Sequence, residues 1–286
     1  MAIMQSQSFN FHSHTRFSDG QDEAAAFAQA AIQKGLKAYG FTDHAPVPFP
    51  CSWTIPQERA TAYCQEIRNL KKQYHANIEL YLGLEVDFIP QVISVQHPSI
   101  TRLNLDYTIG SVHFVDQFAD GTHWGFEDSK KIFQRGVEEI FGGDAQAAVR
   151  RYYQLVREMV ATRPNIVGHV DRIKIHNEGQ RFFDEADAWY REEVLETLDR
   201  IKEEDLIMEV NTKGFFPSQD TDPYPSFWII QEAINRKIKM HLGADAHHPL
   251  DVDRAFSHMI PRLYDMGLRN IYTLEKNQWV PISLDS

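Results

Sequence analysis

Seven times along the chain a short, strand-like apolar run ends in a polar side chain able to bind a metal or hydrogen-bond: His12, His44, Glu85, His113, His169, Asn211 and Asp245. Segments with helical spacing lie between these runs, so strand and helix alternate, the pattern of a parallel sheet with crossover helices. In a barrel of that kind all strand ends meet at one rim, and functional groups gather there. An open doubly wound sheet would converge fewer ends and would need a glycine-rich phosphate loop, which the sequence lacks. The expected fold is an α/β barrel of seven strands. The 286 residues suit one such unit, so residues 1–286 read as a single domain.

The intervening elements follow from periodicity and capping. Residues 22–34 read as a helix with Phe27, Ala30, Ala31 and Ile32 on its face, acidic residues near its start and Gly35 at its end. Residues 38–42 read as a strand, and Pro46, Pro48, Pro50 and Pro56 make 45–56 a loop. A helix over 57–74 carries Ala60, Cys64, Ile67 and Leu70 on one stripe. Strands are expected over 78–84, 107–112, 165–168, 206–210 and 238–243, and helices over 145–161, 189–204, 227–236 and 252–266. Residues 116–144 form an excursion with a helix near 130–141, long enough for a lid or a wall, and 270–284 look like a small strand pair.

Charge and cysteine usage narrow the chemistry. The net charge of -11, with no block of Lys or Arg, disfavours a groove for long nucleic acid. Two cysteines, Cys51 and Cys64, make neither a disulfide framework nor a cysteine-rich metal motif, and point to a reducing cytoplasm. Residues 1–7 lack the pattern of a secretory leader, and no apolar run reaches membrane-spanning length. No membrane partner is expected.

His12 and His14 are two residues apart, as are Asp245 and His247, so each pair can face one side of an extended segment. With Asp19, His44, Glu85, His113 and His169 they make nine imidazole and carboxylate groups, a ligand set suited to zinc, manganese or iron. Nine exceed the needs of one ion. Two or three divalent ions are the economical account.

The same residues carry a resemblance. His12-Ser13-His14, Thr42-Asp43-His44, Gly83-Leu84-Glu85, Ser111-Val112-His113, Gly168-His169-Val170-Asp171 and Asp245-Ala246-His247 resemble the polymerase and histidinol phosphatase (PHP) family over nearly the whole chain. Within it, Phe141-Gly142-Gly143-Asp144 and Glu209-Val210-Asn211-Thr212 are similar to the stand-alone histidinol-phosphatase type. The resemblance implies a distorted (β/α)7 TIM-like barrel, in agreement with the strand count. It implies a first metal held by His12, His14, Glu85 and Asp245, and a second by Glu85 as bridge with His113 and His169. It gives Asp19, His44 and His247 to a third. It further implies a metal-dependent phosphatase of histidine biosynthesis acting on a small phosphorylated substrate, L-histidinol phosphate. The alternatives are another small ester, a phosphodiester, or a metal-binding module without catalysis.

Such a cluster acidifies a shared water, so that a hydroxide can attack phosphorus in line, and the ions screen the charge of the phosphate. No Gly-x-Ser-x-Gly elbow competes with this reading. Substrate contacts are expected from residues close to the ligands: Lys174 and His176 after His169, Lys213 after Asn211, and Arg16 and Arg172. Asp43 and Asp171, beside ligands, are expected to accept hydrogen bonds that orient imidazoles, or to assist proton transfer. Trp53 covers an imidazole or packs down its loop. Of the other histidines, His75, His97 and His258 read as surface residues, His241 as core-facing, His248 as pointing away from the ligands, and His123 as part of the excursion.

Overall fold

Strand runs such as Ile207-Met208-Glu209-Val210 are almost continuously apolar, as strands must be when helices cover one face and a packed interior the other. In the computed structural model, which describes residues 9–219 and 221–285, seven such runs pair in parallel. The reading of residues 1–7 lies outside the described residues. In chain order the elements are β1 (Phe9–Asn10), α1 (Ala24–Gln33), β2 (Ala38–Phe41), α2 (Ala60–Tyr74), β3 (Glu79–Asp87), α3 (Pro98–Thr101) and β4 (Tyr107–Ser111). Then follow β5 (Phe114–Gln117), β6 (His123–Gly125), α4 (Lys130–Phe141), α5 (Ala145–Ala161), β7 (Ile166–Val167), α6 (Ala188–Glu203) and β8 (Ile207–Asn211). The chain closes with α7 (Phe227–Asn235), β9 (Lys239–Gly243), α8 (Phe256–Asp265), β10 (Asn270–Glu275) and β11 (Gln278–Ser283).

The parallel sheet runs β1-β2-β3-β4-β7-β8-β9, a nearly closed, distorted TIM-like barrel. β1 and β9 do not pair as strands. The seam is closed just above them, where His14 N–H donates to Ala246 O at 2.8 Å and Ala246 N–H to His12 O at 3.1 Å. Below that point the Asn10 side chain substitutes for a ladder bond, accepting from Ala244 N–H at 3.0 Å. Thus the seam is built from His12 and His14 on one side and, on the other, from Ala246, the residue between Asp245 and His247.

Helix positions follow the periodic pattern closely, with local corrections. The buried stripe of α1 is Ala24, Phe27, Ala28 and Ala31 rather than one including Ala30 and Ile32, and Gly35 closes the helix at φ +80°. On α2 the stripe is Ala60, Tyr63, Cys64, Ile67 and Leu70. The last helix begins at Phe256, not 252, because Ala255 adopts a left-handed φ of +57°. β3 runs to Asp87, so Glu85 stands inside a strand, not past its end.

The excursion is a wall. It forms the antiparallel hairpin β5–β6 and then α4, whose Ser129 side chain accepts from Ile132 N–H as an N-cap. The β10–β11 pair places Trp279 edge-on to Phe11 at 5.6 Å and Tyr107 at 6.0 Å. Among the described residues no helix is long and apolar enough to cross a membrane.

Candidate metal centre

The extended chain after β1 sends His12 and His14 to one side, and their Nε2 atoms stand 3.1 Å apart. Asp245, just past β9, brings Oδ1 to 3.2 Å from His14 Nε2, and Glu85 Oε2 lies 3.3 Å from His12 Nε2 and 3.4 Å from His14 Nε2. Four ligand-type groups therefore converge here. His12, His14 and Asp245 alone already form a grouping that could hold an ion.

The other oxygen of Glu85 faces a second group. Oε1 lies 2.9 Å from His169 Nε2 and 3.5 Å from His113 Nε2, and those two imidazoles stand 3.4 Å apart. A third gathering joins Asp19, His44 and His247, with His14 at its edge. His247 Nε2 is 3.1 Å from Asp19 Oδ2, and His14 Nδ1 is 3.6 Å from Asp19 Oδ1. His44 belongs to both sides of the cleft: its Nδ1 is 3.1 Å from Glu85 Oε2, so it also groups with Glu85 and His113. All nine groups proposed from the sequence are thus brought together.

Several contacts make sense only with cations in them. His14 Nδ1, His44 Nδ1 and Glu85 Oε2 are buried without a hydrogen-bond partner, an arrangement that costs free energy unless something fills it. Lys213 Nζ stands 3.2 Å from Asp245 Oδ1 and 3.2 Å from His247 Nε2, a side-chain cation among ligand atoms. Burial would lower the His113 imidazole, but Asp87, Glu85 and Glu127 outweigh it and push it up to about 10. His12 is likewise raised by Glu209, Asp245 and Glu85 against its burial, whereas burial lowers His14 and His44. The donor set, the orphaned atoms and the negative field all fit divalent ions.

Supporting side chains aim these ligands. Glu209 Oε1 accepts from His12 Nδ1 at 2.6 Å, and its Oε2 accepts from His169 N–H at 3.1 Å. Asp87 accepts from His113 at both N–H (2.9 Å) and Nδ1 (3.0 Å). Ser111 Oγ donates to Glu85 Oε1 at 2.6 Å, and Asn211 Nδ2 donates to Asp245 Oδ2 at 3.1 Å. Sequence reasoning missed Glu209 and Asp87 in this role. The period of two carries a signal for both, since Asp87 follows Glu85 and Asn211 follows Glu209 on the same face of their strands.

The two aspartates expected to orient imidazoles do something else. Asp43, whose carboxyl burial pushes up to about 6, accepts from the N–H and hydroxyl groups of Thr15 and Ser18 and so shapes the turn that carries Asp19. Asp171 accepts from Ser226 N–H at 2.8 Å and pairs with Lys174 at 2.7 Å. Neither touches an imidazole.

The expected substrate contacts divide. Arg172 and Lys213 line the cleft, which has a volume of about 170 Å³. Arg172 is 6% exposed, pairs with Glu127 at 2.6 Å and lies over the Tyr224 ring at 4.6 Å. Lys174 is half-buried and does not line the opening, bound instead to Asp171, Pro223 O and Ser226 Oγ. His176 Nε2 is 3.1 Å from Glu127 O and supports the wall from behind. Arg16 donates to Gln21 O at 2.9 Å and reaches Glu23 within its own exposed loop. The last three do not line the cleft, because their direction is set by distant partners rather than by nearness to a ligand in sequence.

Trp53 does both things expected of it, standing 4.7 Å edge-on to His44 and stacking on Phe114 at 5.3 Å. His123 instead stacks on Phe49 at 4.1 Å outside the cleft, and His241 is buried with Nδ1 3.0 Å from Tyr272 O. His248 caps the turn at Leu250, and His75, His97 and His258 are exposed.

Comparison with known proteins bears on the same residues. A curated protein of Deinococcus radiodurans named "Probable histidinol-phosphatase" is 28% identical over 250 residues, covering 86% of this chain and 88% of that one. The histidinol-phosphatase of Bacillus subtilis is 27% identical over 277 residues, covering 88% and 97%. In structure, the chain is similar to a histidinol phosphate phosphatase from Lactococcus lactis solved with zinc, L-histidinol and phosphate. The TM-score is 0.66 and the identity 21%, covering 96% of this chain and 98% of that one, a likeness of fold. The sequence profile of the PHP domain matches residues 10–213, a stretch that holds seven of the nine converging ligand groups, and the chain therefore belongs to the PHP domain family.

Proposed function

We propose that this chain is a metal-dependent phosphomonoesterase that hydrolyses L-histidinol phosphate to L-histidinol and phosphate. The observation that carries the reading is Glu85, whose two oxygens face separate imidazole groups at the centre of nine ligand side chains. His12, His14, Glu85 and Asp245 would hold one ion, and Glu85, His113 and His169 a second. Asp19, His44 and His247 would hold a third. When bound, such ions supply an acidified water and a clamp on the phosphate oxygens.

The remaining steps belong to the chain itself. Arg172 lines the cleft and is fixed there by Glu127, and its planar guanidinium suits a phosphate. Lys213, which lines the same opening, adds a second positive charge. Glu209, Asp87 and Asn211 keep the ligands in register before anything binds, so little reorganisation accompanies the reaction. Trp53 walls one side and limits access of water to the imidazoles.

The choice of substrate draws on the relatives, of which the Lactococcus lactis protein was solved with L-histidinol and phosphate. A cleft of about 170 Å³ suits a small ester better than a polymer. The reading takes residues 1–286 as a single catalytic domain. Its two free thiols, Cys51 and Cys64, suit the cytoplasm. The test is phosphate release from a panel of monoesters and one diester by metal-loaded and chelated protein. L-Histidinol phosphate should be cleaved fastest and only after loading. Preference for another ester would overturn the substrate, and no release from any ester would overturn the phosphatase reading.

A further inference from the structure

Arg172 is held twice at the cleft. Its Nη2 donates to Glu127 Oε2 at 2.6 Å, and its Cζ lies 4.6 Å from the centre of the buried Tyr224 ring. A ring attracts the guanidinium charge as a whole without accepting its in-plane hydrogen bonds, so the remaining N–H donors stay free for an anion. The ring is itself tied on both sides. Tyr224 N–H donates to Asn211 O at 3.0 Å and Asn211 N–H to Tyr224 O at 2.7 Å, which fastens it to the end of β8. Two residues on, Ser226 N–H donates to Asp171 Oδ2 at 2.8 Å. Lys174 Nζ, paired with the same Asp171 oxygen at 2.7 Å, donates to Pro223 O at 3.2 Å and to Ser226 Oγ. Gly214 leaves room for the ring, since a Cβ there would meet Tyr224 Cε2 at 2.7 Å.

A long side chain pinned at its tip by one carboxylate can pivot about that contact. A second contact on a fixed support removes the freedom, and orientation of this kind is worth much in a reaction that needs its groups aligned. We propose that Tyr224 is a positioning residue that sets the Arg172 guanidinium for a phosphate group, with Asp171 and Lys174 holding the strap 223–226 that carries the ring. Lys174 thus serves the phosphate at one remove, through the strap and not by contact. The bonds to Asn211 are made by the Tyr224 backbone, so a change of its side chain leaves them, and the Asn211 bond to Asp245, in place. The proposal rests on the phosphatase reading.

The experiment is a double-mutant cycle on the zinc-loaded protein, read by calorimetry with inorganic phosphate and by kcat/KM for L-histidinol phosphate. Tyr224→Leu should weaken phosphate binding and lower kcat/KM by about 10-fold, while Tyr224→Phe, which keeps the ring, should stay within about 2-fold of the parent. In an Arg172→Ala background Tyr224→Leu should cost nothing further, and elemental analysis should show unchanged metal content. Gly214→Ala, which displaces the ring without removing it, should reproduce the loss, and it carries the same cycle if Tyr224→Leu does not fold. Parental phosphate affinity in both Tyr224→Leu and Gly214→Ala, an undiminished loss in the Arg172→Ala background, or loss of metal from the variants would each overturn the proposal. If the parent cleaves no ester, the phosphatase reading falls instead, and the phosphate-binding cycle still decides the role of Tyr224.

Discussion

Nδ1 of His12 donates a 2.6 Å hydrogen bond to Oε1 of Glu209, 197 residues further along the chain. The bond fixes the ring so that Nε2 faces Glu85 and Asp245, and it exists only because β8 lies close to the seam between β9 and β1. Gly243 makes room for it: a Cβ there would come within 2.1 Å of Glu209 Oε1.

Glu209→Gln should therefore weaken metal binding by about 10- to 100-fold without unfolding the chain. Gly243→Ala should produce a similar loss by displacing the same carboxylate. Competition with a chelator measures the affinity, and circular dichroism checks the fold. Unchanged affinity in both variants would show that Glu209 does not aim His12.

Glu85 reaches more ligand groups than its neighbours, so its loss should cost more than the loss of a supporting residue. Glu85→Gln is expected to lower bound metal on elemental analysis and phosphate release by more than about 10²-fold, the upper range for supporting partners. Full metal content in this variant would remove Glu85 from the bridging position.

His241 supplies a pH dependence of stability that is separate from the cleft. Burial among Phe9, Phe11 and Trp279 pushes its imidazole down to about 4, from an ordinary value of 6.5. The folded chain then binds fewer protons than the unfolded chain between those two values. Stability from this ring is complete above pH 6.5 and is lost as pH falls toward 4, by about 3 kcal/mol in all. Urea unfolding of His241→Asn, which keeps a donor for Tyr272 O, should show a shallower acid-side slope than the parent. Equal slopes would contradict the buried neutral ring.

Gly136 lies inside α4 against the indole of Trp124, where an added Cβ would meet Cε2 at 2.0 Å. Helix propensity favours alanine by about 1 kcal/mol, while overpacking a rigid core site costs about 1–3 kcal/mol. Trp124 is fully buried and donates its Nε1–H to Ile132 O, so it has little freedom to move. Gly136→Ala should lower the midpoint of urea unfolding, whereas a rise would show that the indole yields.

The barrel and the nine imidazole and carboxylate groups that converge at its rim were legible because both leave local, repeated marks. Polar residues recur at the ends of apolar runs, and α4 and α5 are bounded by strong caps at Ser129 and Asp144. Glu209 and Asp87 were harder to see, since a carboxylate inside an apolar strand declares its role only when a partner strand brings an imidazole to it. Glu127 left no local mark at all. Its place depends on how the β5–β6 hairpin docks and on Arg172, 45 residues away. Lys174 and His176 misled for the same reason in reverse: they neighbour a ligand in sequence, but Asp171 and the carbonyl of Glu127 turn them away.

Stepwise titration of chelated protein with zinc or manganese, following phosphate release from L-histidinol phosphate at each addition, tests the central claim most directly. The account predicts no release without metal and a rise that saturates between two and three ions per chain. Release that survives complete chelation, or none at any metal ratio, would contradict it.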